Sequence, residues 1–246
     1  MSDTFWVFPV SAELAQDIRQ LAVELDGGLS GGAVSDIRNR FVRTLNVSID
    51  AGFHFYYTVP MEYSRSVGTL VRKTVDSIIS AARHGIHLVI QQVFKGLSVR
   101  DLQSMAWYLD SMVVPAHSQD KALLAFPLKA DLVKRLDNLM ESIRASDQVA
   151  TYSRELYGVF SDIIDASVYY YYQKPTNEIH LNRLAKKAAD LGIHSTVKGI
   201  KSVIKHVLKD VSHEEALALP DNMHFLLAER NLNYLVGEAR FIAEKG

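Results

Sequence analysis

Cysteine is missing from all 246 residues of the chain. This absence excludes disulfide bonds and catalysis by a thiolate, and it excludes zinc or iron–sulfur sites that need cysteine ligands. His84 and His87 are three residues apart, a spacing that can bind a metal from one helix, but no carboxylate stands at helical spacing before them. The glycine-rich DGGLSGG lacks the lysine of a phosphate loop, so we predict neither a metal nor a cofactor.

Long apolar runs and a strong net charge are missing as well. The longest apolar stretches, such as IHLVI, fall far short of the roughly 20 residues that span a bilayer, so we expect no integral membrane association. The first residues, MSDTFWVFPV, lack the basic flank of a secretory signal, and we expect a cytoplasmic protein. Because the formal net charge is −1, a charged partner requires a local patch.

Apolar residues are plentiful, and one aromatic segment occurs twice. Hydrophobic residues make up 48% of the chain and charged residues 22%, which is sufficient for a core. The segment IDAGFHFYYTVP at 49–60 matches IDASVYYYYQKP at 164–175, with six of 12 positions identical. The two segments share a tyrosine pair that precedes a proline by a fixed distance.

Three further pairs of segments match in the same order along the chain. They are 8–21 with 126–139, 70–76 with 184–190, and 85–98 with 199–212. The offset between matched positions falls only from 118 to 114 along the sequence, so small gaps align the two halves. Collinear matches of this kind predict an internal duplication.

The spacing of apolar residues predicts helices in both halves. Before each tyrosine pair, apolar positions recur three and four residues apart, as in an amphipathic helix. We therefore predict an all-α, internally duplicated helical bundle, with two repeats of about 115 residues related by pseudo-twofold symmetry. The repeats would be 1–117 and 118–246, packed together as one globular unit. The alternative is that the two tyrosine segments are strands, which aromatic residues favour.

Local signals predict where the helices begin and end. Pro9 and Pro127 are expected near the start of the first helix of each repeat, and Pro60 and Pro175 near the end of the aromatic helix. The segments SVRD at 98–101 and SHEE at 212–215 have the pattern of capping boxes.

The aromatic helices supply the first set of candidate site residues. One hypothesis places these residues at the edge of the core, with the tyrosine hydroxyls hydrogen-bonded. A second places them around a pocket or partner groove between the repeats. A third, general acid–base chemistry by the two aspartates, has weaker support because only symmetry brings them together. The candidates are Tyr56, Tyr57, Tyr171, Tyr172, Asp50 and Asp165.

Basic residues are concentrated between 183 and 209, with Lys198, Lys201 and Lys205 on one stripe of a predicted helix. This is either a solvated face or a site for phosphate groups, in nucleic acid or another anion. One basic pair occurs in both repeats. The candidate anion-binding residues are Arg72, Lys73, Lys186, Lys187, Lys198, Lys201 and Lys205.

Within this basic region, LAKKAADLGIHSTVKGIKSVI at 184–204 resembles a helix-turn-helix DNA-binding motif. In that resemblance Ala188 is the small residue of the first helix and Gly192 the turn glycine. The recognition helix would begin near Ser195 and present Thr196, Lys198 and Lys201 to DNA. Val197 and Ile200 fall one residue earlier than the core positions of the motif, and the first repeat has Ile78 in place of the glycine.

These features favour a non-enzymatic binding or regulatory protein. Its partner would be a protein or an acidic small-molecule ligand, met at a groove between the repeats and at the basic face of the second repeat. The alternative is a DNA-binding regulator that uses 184–204, with nucleic acid as the partner. An enzyme comes third, because the sequence offers no nucleophile with an adjacent base.

Overall fold

The structure is a computed structural model of the chain. It describes residues 4–27, 33–63, 67–115, 121–146, 149–212 and 214–215. These residues are mostly helical, as predicted, with one small sheet in addition. The predicted repeat boundary after residue 117 lies outside the described part of the chain.

Three short antiparallel strands form the sheet. They are β1 (Phe5–Ser11), β2 (Val113–Pro115) and β3 (Lys121–Pro127). β3 lies between the other two, and β1 pairs with it so that Val7 stands opposite Ala125. Because successive strand residues alternate between faces, Trp6 and Phe8 enter the main core while Val7 belongs to a small cluster on the other face.

The first helix of each half begins three residues after the matched proline, at Ala12 and at Ala130, but the prolines themselves lie in strands and not in the helices. Pro9 sits within β1 and Pro127 ends β3. A proline cannot donate to a ladder hydrogen bond, but it is tolerated in an edge strand such as β1. Helix α1 begins after β1 at Ala12, where the hydroxyl of Ser11 accepts a hydrogen bond from the backbone N–H of Leu14.

Most of the remaining described residues are helical. The helices before β2 are α1 (Ala12–Asp26), α2 (Ala33–Phe53), α3 (Val59–Tyr63), α4 (Thr69–Phe94) and α5 (Val99–Ser111). Those after β3 are α6 (Ala130–Arg144), α7 (Ser153–Val168), α8 (Lys174–Asn177) and α9 (Arg183–Asp210). A short 3-10 helix, Val149–Tyr152, precedes α7.

Both tyrosine segments are π-helical turns, so the strand alternative is wrong. The first π turn (His54–Thr58) joins α2 to α3, and the second (Tyr169–Gln173) joins α7 to α8. In each turn a backbone N–H donates to the carbonyl five residues earlier, from Val59 to His54 and from Lys174 to Tyr169. The helical path therefore continues past both matched prolines, to the ends of α3 and α8. Such turns occur often at functional sites.

Both predicted capping boxes are present. The Ser98 hydroxyl accepts from the backbone N–H of Asp101, whose carboxylate accepts from the N–H of Ser98. Ser212 and Glu215 make the same reciprocal pair. Each box satisfies backbone donors that a helix leaves without partners at its start.

α4 and α9 pack side by side in opposite directions. A Cβ atom on Gly85 would lie 3.2 Å from Thr196 Oγ1, and one on Gly192 would lie 2.7 Å from Val89 Cγ2. Gly85 of α4 therefore contacts Thr196, whereas Val89, further along α4, contacts the earlier residue Gly192 of α9. The two helices thus run antiparallel. Glycines at these contacts let the two backbones approach closely. α4 also packs on α2, and α9 packs on α7.

One large core joins the two halves of the chain. It includes fully buried residues from before and after β2, among them Phe41, Phe94, Phe126 and Leu156. The rings of Phe41 and Phe94 are 4.9 Å apart, so α2 and α4 meet there directly. This shared core places the two π turns next to the sheet.

Candidate functional site

Tyr56 and Tyr171 lie inside the packed region where the two halves meet. The Tyr56 ring stacks on Trp6 at 5.4 Å between centroids, and its hydroxyl donates to the carbonyl of Val7 at 2.7 Å. The Tyr171 ring meets Phe126 edge-on at 5.3 Å and contacts Phe8 at 6.1 Å. Burial raises the pKa of both phenols, and the nearby Tyr171 adds to the rise at Tyr56. These rings contribute to the packing between the two halves.

Tyr57 and Tyr172 tie the π turns to the long helices. Tyr57 donates its hydroxyl hydrogen to Asp76 in α4 at 2.6 Å, and Tyr172 donates to Asp190 in α9 at 2.7 Å. The pKa of each phenol is raised, first by burial and then by the hydrogen bond to its carboxylate. A phenol held protonated beside a carboxylate is a structural donor, not a nucleophile.

Asp50 and Asp165 also face the long helices and do not face each other. Asp165 accepts from Lys201 Nζ at 2.6 and 2.7 Å. Asp50 Oδ1 lies 3.1 Å from His87 Nε2 and 3.6 Å from Arg83 Nε, within ion-pair distance. The acid–base hypothesis therefore has no shared carboxylate site, and each aspartate has a basic partner of its own.

The predicted basic residues divide into engaged and exposed groups. Lys201 is bound to Asp165, and Lys186 donates to the side-chain oxygen of Asn177 at 2.8 Å. Arg72 is half-buried near Tyr57, where its charge partly opposes the rise in that phenol's pKa. The remaining predicted cations are exposed, namely Lys73, Lys187, Lys198 and Lys205. Lys209, which was not among the predicted site residues, is exposed as well.

The segment that resembles a helix-turn-helix motif is one uninterrupted helix, so that prediction is wrong. Residues 184–204 all lie within α9, and Gly192 is an interior helical residue against Val89. The glycine serves the contact with α4 and does not form a turn. Thr196 is buried against Gly85, while Lys198 remains exposed.

α4 and α9 together form the most basic layer among the described helices. α4 carries three Lys or Arg against one acid and α9 carries seven against two, for a formal net charge of +7 in a protein of −1. The carboxylates of Asp76 and Asp190 are hydrogen-bonded to tyrosines. The charge of this layer therefore comes from both halves, although most of it lies in the second.

The same layer exposes four leucines that sequence reasoning did not single out. These residues are 79% exposed at Leu70, 51% at Leu88, 79% at Leu184 and 60% at Leu191. Leu70 and Leu184 are the first residues of the matched blocks 70–76 and 184–190, so the sequence match between these blocks was a signal for them.

We call the exposed side of these two helices, turned away from α2 and α7, the α4–α9 face. It is defined by Leu70, Lys73, Leu88, Leu184, Lys187, Leu191, Lys198, Lys205 and Lys209.

A separate cleft of about 330 Å³ lies beside the second π turn. The ammonium group of Lys174 enters it, 5.9 Å from the ring centroid of Tyr108 and 5.7 Å from that of Tyr170. Tyr170 belongs to the four-tyrosine run but not to the predicted site set. The other lining residues include Ser104, Trp107, Ser111, Met112, Ala125, Phe126 and Glu178.

Two structural features are absent from the described residues. No group of three or more histidine, aspartate and glutamate side chains there is arranged to hold a metal ion. No helix among them has the length and hydropathy needed to cross a membrane.

The chain was also compared with known proteins. Models of protein families, curated proteins and solved structures all gave no match.

Proposed function

We propose that the protein is a non-enzymatic binding protein that engages an acidic partner through the α4–α9 face. The observation that carries this proposal is the set of exposed cations there. Lys73, Lys187, Lys198, Lys205 and Lys209 are exposed and form no ion pair with another described residue. A cluster of unpaired like charges repels itself, and a bound anion relieves that repulsion.

The states of the other candidate residues support a binding role over catalysis. The hydroxyls of Tyr57 and Tyr172 are committed to carboxylates, and that of Tyr56 to a backbone carbonyl. Asp165 is neutralised by Lys201. General acid–base catalysis needs a group whose pKa lies near the working pH, whereas these phenols are pushed away from it.

We further propose that the chain arose by duplication and that its halves are related by a pseudo-twofold axis. Matched residues make matched contacts in support of this idea. Tyr57 and Asp76 correspond to Tyr172 and Asp190 in the aligned segments, and both pairs are hydrogen-bonded. The two π turns also occupy corresponding positions.

The pairing of corresponding elements supports the same axis. A twofold rotation pairs equivalent strands in antiparallel fashion, and β1 and β3 pair in that way. Val7 and Ala125, which stand opposite each other, are aligned with each other at the offset of 118. The antiparallel contact of α4 with α9 follows the same rule. Duplication would thus have built the α4–α9 face from two copies of one helix.

The test compares two charge removals of equal size by binding to heparin, used as a soluble polyanion. The variant Lys198→Ser/Lys205→Ser/Lys209→Ser alters the α4–α9 face. The control removes three exposed lysines, one in β3, one immediately before α6 and one in α6: Lys121→Ser, Lys129→Ser and Lys134→Ser. We expect the first variant to lose at least about tenfold in affinity and to show a shallower dependence on salt, because fewer counterions are released.

The control should change affinity by less than about twofold if the α4–α9 face is the binding surface. Equal losses in the two triple variants would mean that only net charge matters, and this would remove the support for the proposed surface. A wild-type protein that ignores heparin at low salt would refute an anion-binding function.

A further inference from the structure

The four exposed leucines of the α4–α9 face need an explanation of their own. Single exposed apolar residues are common on protein surfaces, but several on one face mark an interaction site. α4 and α9 hold Leu70, Leu88, Leu184 and Leu191, each at least half exposed. Cations and leucines therefore share the same surface.

The spacing of these leucines places the two leucines of each helix on the same side of that helix. Leu70 and Leu88 are separated by 18 residues, which is five full turns, and Leu184 and Leu191 by seven, which is almost two. In α9 the heptad steps continue from Leu191 to Lys198 and Lys205, so the leucines and lysines form one stripe.

The antiparallel packing distributes the leucines over the face. Leu88 and Leu191 immediately precede Val89 and Gly192, the residues at which the two helices touch, so they lie on the two sides of one contact. Leu70 and Leu184 are the second residues of the two helices and therefore lie at opposite ends of the antiparallel pair. Apolar groups occur at both ends and in between, along helices that are about 40 Å long.

Partner chemistry follows from this combination. A nucleic acid offers phosphates to the lysines but no apolar phase to the leucines, whereas an anionic bilayer offers both. We infer that the α4–α9 face binds peripherally to an anionic membrane surface. Its lysines contact the lipid phosphates and carboxylates, and its leucines enter the boundary between head groups and acyl chains. This inference rests on the proposed function and specifies its partner.

The experiment measures flotation of the full-length protein with vesicles of 30% phosphatidylserine in phosphatidylcholine, and with vesicles of phosphatidylcholine alone. We expect binding to the first and about tenfold weaker binding to the second. Leu70→Ser/Leu184→Ser should lower partitioning into the anionic vesicles by about tenfold, because two leucine side chains no longer enter the boundary. Heparin binding by this variant should change by less than about twofold.

The matched control removes two exposed apolar residues from another surface. Val23→Ser/Val47→Ser alters α1 and α2, where these valines are 71% and 48% exposed. This control should keep full vesicle binding. The lysine triple variant should lose binding to vesicles and to heparin alike.

Several outcomes overturn the inference. The first is a wild-type protein that binds heparin through the lysines but ignores anionic vesicles; the proposed function would then survive without a membrane partner. The second is a fall in Tm of more than about 3 °C on the leucine substitutions, which would show that the leucines are covered within the fold. The third is a dimer in sedimentation velocity that these substitutions dissociate, which would assign the face to a second copy. If the lysine triple variant bound heparin as tightly as the wild type, the proposed function itself would be refuted.

Discussion

The Nζ atom of Lys201 lies 2.6 Å from Oδ1 of Asp165, so this lysine forms an ion pair with α7 although it belongs to the basic stripe of α9. We predict that Lys201→Ser weakens heparin binding less than Lys198→Ser. The free energy of unfolding should fall by about 0.5 to 1 kcal/mol, since the Asp165 side chain is 59% exposed and the pair is screened. Titrations of the two single variants with heparin, together with urea unfolding, check this.

A greater effect of Lys201→Ser than of Lys198→Ser on heparin affinity, with unchanged stability, would contradict it. In that case the contact with Asp165 would open in solution and release the lysine to the ligand.

Tyr56 and Tyr171 give a matched pair of hydroxyl deletions. The Tyr56 hydroxyl donates to Val7, whereas the buried Tyr171 hydroxyl has no hydrogen-bond partner among the described residues. We predict that Tyr56→Phe lowers the free energy of unfolding by about 1 kcal/mol and that Tyr171→Phe leaves it unchanged or raises it. Denaturant unfolding of both variants measures the difference, and equal losses would show that Tyr171 has a partner in solution.

Gly192 fixes the distance between α4 and α9. A Cβ atom there would lie 2.7 Å from Val89 Cγ2, so Gly192→Ala forces the helices apart and should cost about 1 to 3 kcal/mol, less about 1 kcal/mol of gained helix propensity. In the Val89→Ala background the obstructing methyl is gone. There we expect Gly192→Ala to stabilise the protein by about 1 kcal/mol. A change of the same sign in both backgrounds, measured by thermal unfolding, would rule out this contact.

Asp101 makes part of the stability dependent on pH. Burial raises the pKa of its carboxyl, but hydrogen bonds from Ser98 and His180 outweigh burial and leave the pKa below its ordinary value. A carboxyl with a lowered pKa in the folded state contributes stability above its unfolded pKa, near pH 4, and loses it as pH falls through the folded value.

We predict that Asp101→Asn is less stable than the wild type at pH 7, by about 1 kcal/mol or more because it also breaks the capping box. The gap should narrow as pH falls below about 4. Urea unfolding of the variant and the wild type at pH 7 and at pH 2 tests this. A gap that stays constant from pH 7 to pH 2 would mean that the carboxylate charge has no part in it.

Much of the helical framework is predictable from local signals. Apolar spacing identifies the amphipathic helices, and Ser98 with Asp101 identifies a helix start, because both signals arise within a few residues of the chain. The strands escaped prediction for the opposite reason. Pro9 suggested a helix start, and only pairing with a segment more than 100 residues away makes a strand of it.

The types of residue in the candidate site were predictable from the sequence, but whether each side chain is exposed or paired was not. Lys198 and Lys201 look alike in the sequence, yet only the position of Asp165 on a different helix separates an exposed cation from a paired one. The leucines of the α4–α9 face were missed because an apolar residue in an amphipathic helix is expected to face the core. Leu184 does not, and its exposure depends on how α9 packs.

The pairing of β1 with β3 also affects synthesis on the ribosome. β3 begins 110 residues after β1 ends, so at about 5 to 20 residues per second the first strand waits roughly 5 to 20 s for its partner. During that time FWVFPVS is an apolar segment without its strand partner, the kind of segment that pairs with other chains. Pro9 cannot donate a ladder hydrogen bond, and its place in β1 limits such pairing until the second half of the chain has emerged.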